Sequence, residues 1–151
     1  MSAEIKPFEK ELEVRWVDCD ANRHVRHSAY YDYGAHARIR FFAEMGFGSS
    51  EMAQLSIGPI LFKEECSFIR ELKVDDVITV NLLKGKLTHG GARWELHHEI
   101  FNAEGKKAAH ITIRGAWMDL KARKLTTPPE KVGKLFDNLP QCEPYSYVKS
   151  S

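Results

Sequence analysis

The sequence predicts an α+β fold in which one long helix lies on an antiparallel sheet, with residues 1–151 forming a single domain. Three observations predict it. Several stretches alternate apolar and polar residues with a period of two, as half-buried strands do. One stretch, beginning near residue 28, changes to a period of three and four. The alternating stretches that follow are joined by short turns containing glycine or asparagine, which link antiparallel neighbours.

The first strand is read from Phe8 to Trp16. Phe8, Leu12, Val14 and Trp16 share one face, Glu9, Glu11, Glu13 and Arg15 the other, and Lys10 is the misfit. Ala21-Asn22-Arg23 breaks the pattern with turn residues. The helix is read from Ser28, as N-cap, to Met45, with Gly46 or Gly48 ending it. Tyr30, Tyr33, Gly34, Ala37, Phe41 and Met45 form its apolar stripe, and Asp32, His36, Arg40 and Glu44 its polar one. After a Ser/Gly-rich passage, strands are expected from about Ile60 to Leu72 and in "DDVITVNLLKGKL", "ARWELHHEIF" and "KKAAHITIRGAWMDL". "TTPPEKVGKLF" reads as a short terminal helix with proline at its start. Trp94, Trp117 and the flanking aliphatics offer more apolar surface than one helix covers, so a homodimer whose sheets pair edge to edge or whose helices face one another is expected.

A net charge of +1 gives no overall field to draw a nucleic acid or a membrane surface. No apolar run approaches the roughly 20 residues that span a bilayer. "MSAEIKPFEK" holds no apolar core of a secretory leader, and three cysteines without CxxC spacing argue for a reducing compartment. A cytoplasmic protein is the expectation.

The chemistry-bearing stretch is "VRWVDCDANRHVRHSAYYDY", residues 14–33. If the first strand keeps its parity, Asp18 and Asp20 both fall on the core side, where solvated acids do not belong without a reason. The helix that follows opens with backbone N–H groups that lack intrahelical acceptors and carry the positive end of the dipole. Such amides, around His27 to Tyr30, stabilise the oxyanion of a tetrahedral transition state, and a carboxylate beside them attacks a carbonyl or activates water.

"VRWVDCDANRHVRHSAYYDYGAHARIRFF" resembles the start of hotdog-fold thioesterases of the 4-hydroxybenzoyl-CoA thioesterase type. In these an acid-x-acid strand end runs through a His-Val-like turn into a helix with Tyr-x-x-Tyr and Ala-Arg. "SFIRELKVDDVITV" is similar to their second strand and its turn, and the likeness extends over about residues 8–132. The resemblance implies a helix wrapped by a five-stranded antiparallel sheet, a dimer or dimer of dimers with interfacial sites, hydrolysis of acyl-CoA thioesters, and no cofactor. It gives Asp20 the catalytic carboxylate position, as nucleophile or general base, and His27 the backbone N–H of the oxyanion hole, with Ser28 beside it. Tyr30 and Tyr33 take positions lining the acyl pocket; His24, read from the residues alone, hydrogen-bonds within the turn and is a candidate for substrate binding. The chain departs from many relatives in reading Val25-Arg26-His27 for Val-Asn-Asn. It also has Ala35 and His36 before Ala37-Arg38, so no helix glutamate can be the catalytic group. Gly90-Gly91-Ala92-Arg93 stands where relatives clamp CoA phosphates with arginines, which makes Arg93, with Lys84 or Lys86, the phosphate-binding candidate.

Other readings remain at this level. Asp20 is also an ordinary turn aspartate capping its own backbone, and Asp18 a residue that shapes the turn. His24 and His27 straddle a turn and a helix start with no third ligand, so no metal is expected there. His97 and His98 point to opposite faces of a strand and cannot share an ion. A hotdog-fold hydratase or dehydratase using His24 or His27, and a non-catalytic acyl-thioester binder, stand as alternatives to the hydrolase.

Overall fold

The computed structural model describes residues 7–143; residues 1–6, part of the stretch read for a leader, and 144–151 lie outside it. Strand β1 covers Phe8–Glu13, α1 His27–Glu44, α2 Ser49–Leu55, β2 Ile57–Phe68, β3 Val77–Leu87, β4 Arg93–Phe101, β5 Lys107–Asp119, β6 Lys124–Leu125 and α3 Glu130–Gly133. The sheet runs β1-β3-β4-β5-β2, all antiparallel, with the two-residue β6 added beside β5. It curls around α1, the hotdog arrangement, so the α+β expectation holds with one extra short strand.

The apolar stripe of α1 makes the core. Tyr30, Tyr33, Ala37, Phe41 and Phe42 are buried against Ile78, Val80, Leu82, Leu96, Ile100, Ile111 and Ile113. These strand residues come from alternate positions, as period-two geometry requires. Asp32, His36, Arg40 and Glu44 all stay exposed, and Glu44 pairs with Lys10 of β1. The helix ends where Gly46 adopts φ +77, a left-handed conformation that glycine tolerates without strain.

Several boundaries move. The helix starts two residues early, at His27, and Arg26 rather than Ser28 is its N-cap. The Ser/Gly-rich passage contains α2, because Glu51 accepts a hydrogen bond from Gly48 N at 3.2 Å and closes its first turn. Only Glu130–Gly133 of the terminal stretch is α-helical, with Pro129 as its N-cap.

Trp94 and Trp117 do not form a bare surface. Phe42 and Phe47 each lie 5.9 Å from Trp117, and Phe136 lies 6.0 Å from Trp94. The tryptophans therefore give no reason for a second subunit. Exposed apolar side chains gather instead on β2, the outer strand of the sheet: Leu61, Phe62 and Phe68.

Candidate active site

Strand parity holds as far as Val14, which is fully buried and exchanges backbone hydrogen bonds with Asp75 and Asp76. A single 3-10 turn, Trp16–Asp18, then interrupts it. Trp16 is turned outward, 80% exposed, and Asp18 inward, 2% exposed. The expectation that both acids face the core is thus right for Asp18 and wrong for Asp20, which is exposed. The physical cause is local: a 3-10 turn advances three residues per revolution, so the period of two no longer applies.

Asp18 is fully occupied. Its Oδ2 accepts the Tyr33 hydroxyl at 2.9 Å and the Arg15 amide at 3.2 Å, and its Oδ1 accepts Arg15 Nη2 at 3.0 Å. Burial pushes this carboxyl up, but the Arg15 guanidinium, the Tyr33 hydroxyl and the Arg15 amide together hold it below the usual aspartate value. Burial and the bond to Asp18 push the Tyr33 hydroxyl well up, so it stays a proton donor.

Asp20 Oδ1 accepts the amides of Asn22 at 2.9 Å and His24 at 3.3 Å, the geometry of an aspartate capping its own turn. Among the described residues its Oδ2 takes no hydrogen bond. The carboxylate stands at the junction of two openings. One, of about 710 Å³, is lined by Trp16, Val17, Cys19, Arg23 and Val74. The other is a cleft of about 270 Å³ lined by Asp20, His24, His27, Tyr30, Phe68, Arg70 and Glu71, among others.

The second cleft joins four residues named from sequence, Asp20, His24, His27 and Tyr30, at the N-terminus of α1. The Ala29 amide reaches back to Arg26 O at 3.0 Å, while the His27 and Ser28 amides stand in the first turn, where no helical carbonyl faces them. The His27 ring stacks on Phe68 at 4.2 Å, and Tyr30 meets Phe68 edge-on at 4.9 Å. Burial pushes the Tyr30 hydroxyl up to about 12, and it donates to Arg70 O at 3.4 Å. His24 Nε2 lies 3.1 Å from Glu71 Oε2.

Three named side chains lie apart from this cleft. Tyr33 is committed to Asp18 and lines a different opening, with Leu12, Arg15 and His36. Ser28 is exposed and its hydroxyl accepts Arg26 Nε at 3.1 Å. Arg93 lines a groove of about 610 Å³ with Lys63, Lys86 and Arg114, its guanidinium 5.6 Å above the Phe62 ring. Phe68, Arg70 and Glu71 were not singled out from sequence. The signal available for them was the point where the β2 alternation gives way to "IRELK", just before the chain returns to the acid-bearing loop.

No helix among the described residues is long and apolar enough to cross a membrane. The fold is similar to that of a hypothetical protein of Staphylococcus aureus solved in complex with CoA (TM-score 0.86, 18% identity, 98% of this chain and 95% of that one). It is also similar to a 1,4-dihydroxy-2-naphthoyl-CoA thioesterase of Synechocystis (TM-score 0.78, 17% identity, 87% and 96%). In sequence, 76 residues are 33% identical to a protein of Aquifex aeolicus named "Putative esterase", covering 50% of this chain and 59% of that relative's length. Residues 14–136 match the model of the thioesterase-like superfamily, and the chain belongs to that family.

Proposed function

We propose that the protein hydrolyses acyl-CoA thioesters, with Asp20 as the reacting carboxylate and the His27 and Ser28 amides as the oxyanion hole. The observation that carries this reading is that Asp20 and the opening residue of α1 line one cleft. The Asp20 oxygen held by two backbone amides is fixed in place, and the other oxygen is the one available to attack the thioester carbonyl or to take a proton from water. The acyl group lies against Tyr30, Phe68 and the His27 ring. CoA leaves as the thiol. Family membership and the fold of the CoA-bound relative support this substrate class.

The Arg93 groove, with three further cations and Glu95 as its one acid, suits the phosphates of CoA. It shares no lining residue with the Asp20 cleft. Phe62 of the groove and Phe68 of the cleft both lie on β2, whose outer edge is open to a second chain. Antiparallel pairing of two β2 strands about Glu65 sets the groove of one chain beside the cleft of the other, and the functional unit is then a homodimer.

Free-thiol release from a panel of acyl-CoA esters, aromatic and aliphatic, tests the reading with the wild type and Asp20→Asn. Equal rates in the two proteins remove Asp20 from the mechanism, and no release from any thioester removes the hydrolase. The His24–Glu71 pair in the same cleft favours a second reading, a hydratase in which the imidazole handles the substrate proton. Hydration consumes enoyl absorbance while the thioester stays intact, so one cuvette separates the two.

A further inference from the structure

His97 and His98 are neighbours on β4 with opposite fates. His98 faces α1, where its Nε2 meets Arg38 Nη1 at 3.0 Å and its Nδ1 meets Asn81 O at 2.7 Å. His97 therefore points out of the other side of the sheet. There it meets His110 of β5, with His97 Nδ1 and His110 Nε2 2.9 Å apart. The third member comes from the C-terminal segment. Beyond Phe8, where β1 ends opposite Leu82, the vacated edge of β3 is taken by residues 140–142. Lys84 N donates to Pro140 O at 2.9 Å and Cys142 N to Lys84 O at 2.8 Å. This seats Cys142 over the two imidazoles. One ligand atom from each of His97, His110 and Cys142 lies within 4.8 Å of the other two, and all three residues are buried.

We propose that His97, His110 and Cys142 form a binding site for a zinc-class divalent cation that clasps the C-terminal segment to the sheet. Two imidazoles and a thiolate are the ligand set that Zn²⁺ and Co²⁺ prefer over the hard, oxygen-seeking ions. Tetrahedral zinc sets its ligand atoms roughly 3.3–3.8 Å apart, within the 4.8 Å that the three already span, and a water completes the fourth position. A carboxylate already stands behind one ligand: Glu95 Oε2 lies 3.2 Å from His97 Nε2 and is braced by Arg114 Nε at 3.1 Å on Oε1. Such a carboxylate fixes the tautomer in which Nδ1 carries the lone pair; that lone pair now faces His110 Nε2 at 2.9 Å and Thr112 Oγ1 at 3.2 Å, and the cation would take it over. Burial keeps both rings below the ordinary imidazole range, in the neutral form that ligates.

The protons balance as follows. The Cys142 thiol, which now faces Glu143 O at 3.7 Å, gives up its hydrogen to solvent. The hydrogen held between the two rings moves to His110 Nδ1, and the Lys107 ammonium, 3.1 Å from that nitrogen, turns wholly to Glu99, also 3.1 Å away. One proton is released per cation bound.

The test is a Co²⁺ titration of the reduced, chelator-treated full chain. One equivalent is expected to bind, with the visible bands of tetrahedral cobalt and a near-ultraviolet thiolate charge-transfer band, and Zn²⁺ should displace it. Cys142→Ser, a near-isosteric change, should abolish the charge-transfer band and weaken binding at least tenfold, while His36→Asn, on the exposed stripe of α1, should change neither. Circular dichroism establishes that each variant is folded. Absence of stoichiometric uptake by the wild type overturns the proposal. So does an unaltered spectrum in folded Cys142→Ser, and the cluster is then hydrogen-bonded packing alone.

Discussion

Asp18 and Asp20 lie two residues apart, and their environments together with the proposed mechanism predict opposite consequences on substitution. In Asp18→Asn the carboxamide offers one acceptor oxygen where the carboxylate offers two, while Tyr33 Oη, Arg15 N, Arg15 Nε and Arg15 Nη2 all donate toward this site. Either orientation of the amide turns its own N–H groups against donors. A hydrogen bond to a buried charge is worth about 1.5–3 kcal/mol, and Arg15, being largely exposed, recovers part of its share from water. The net loss is therefore about 2–3 kcal/mol, which for a chain of this size lowers Tm by roughly 5–10 °C. In Asp20→Asn the amide oxygen replaces Oδ1 and still accepts from Asn22 N and His24 N, so Tm should move by less than about 2 °C. The kinetics reverse the order. Asp20→Asn should lose about 10²–10⁴ in kcat toward the best acyl-CoA ester, whereas Asp18→Asn, assayed well below its Tm, should lose tenfold or less. Acid adds a second signature. The Asp18 carboxyl is held below its unfolded value, so its stabilisation is whole above about pH 4–5 and fades as pH falls through the folded value. The Tm difference between wild type and Asp18→Asn should accordingly shrink below about pH 4. Thermal melts followed by circular dichroism and thiol-release kinetics on the same preparations decide it. A large Tm loss in Asp20→Asn, or unchanged kcat there, refutes the division of labour.

Three further expectations follow from the packing and the charges. Gly34→Ala places a Cβ 2.9 Å from His98 Cδ2, and that ring is held by Arg38 and Asn81; overpacking of about 1–3 kcal/mol outweighs the roughly 1 kcal/mol gained in helix propensity, so the melt should shift downward. Arg93→Glu reverses one charge of the basic groove and should raise KM for CoA thioesters about tenfold with kcat nearly unchanged, the more so at low salt; an unchanged KM removes the groove from CoA binding. Leu61→Lys charges the open edge of β2 and should shift sedimentation toward the monomer and lower activity with it, and an unaltered sedimentation profile excludes that edge as the dimer contact.

Much of this architecture is written in local periods. The strands β3, β4 and β5 and the helix α1 each repeat their own geometry within one stretch, so alternation alone assigns Trp94, Leu96, His98 and Ile100 to one face. What escapes the sequence depends on breaks in period or on distant chain segments. The 3-10 turn at Trp16–Asp18 leaves no mark in the alternation, which past the misfit Lys10 continues through Leu12, Val14 and Trp16, and it is what separates the fates of the two acids. Phe47 and Phe136, which cover the tryptophans, come from a loop after α1 and from the C-terminal segment. The meeting of Asp20 with Phe68, Arg70 and Glu71 depends on how β2 crosses the start of the helix. Tyr33 shares the stripe of Tyr30, but only the position of Asp18 decides that its hydroxyl is taken up inside the fold.

On the proposed mechanism the two acids divide into a support, Asp18, and a reacting group, Asp20, rather than forming a redundant pair. Asp18 ties the loop to the helix twice: through Tyr33, in the second turn of α1, and through its own carbonyl, which accepts Arg26 N at 2.9 Å. Asp20 N donates to His24 O at 2.9 Å, and Val25 N to Leu72 O at 2.9 Å, so the turn carrying the exposed carboxylate is pinned from the helix and from the β2–β3 connection. A carboxylate free to swing would spend most of its time away from a carbonyl held at the helix amides; one fixed by two backbone bonds on Oδ1 presents Oδ2 in a narrow range of directions. In that mechanism, positioning of this kind does not require the acid at position 20 itself to be buried. It requires a rigid neighbour, and a buried ion-paired aspartate two residues upstream supplies one.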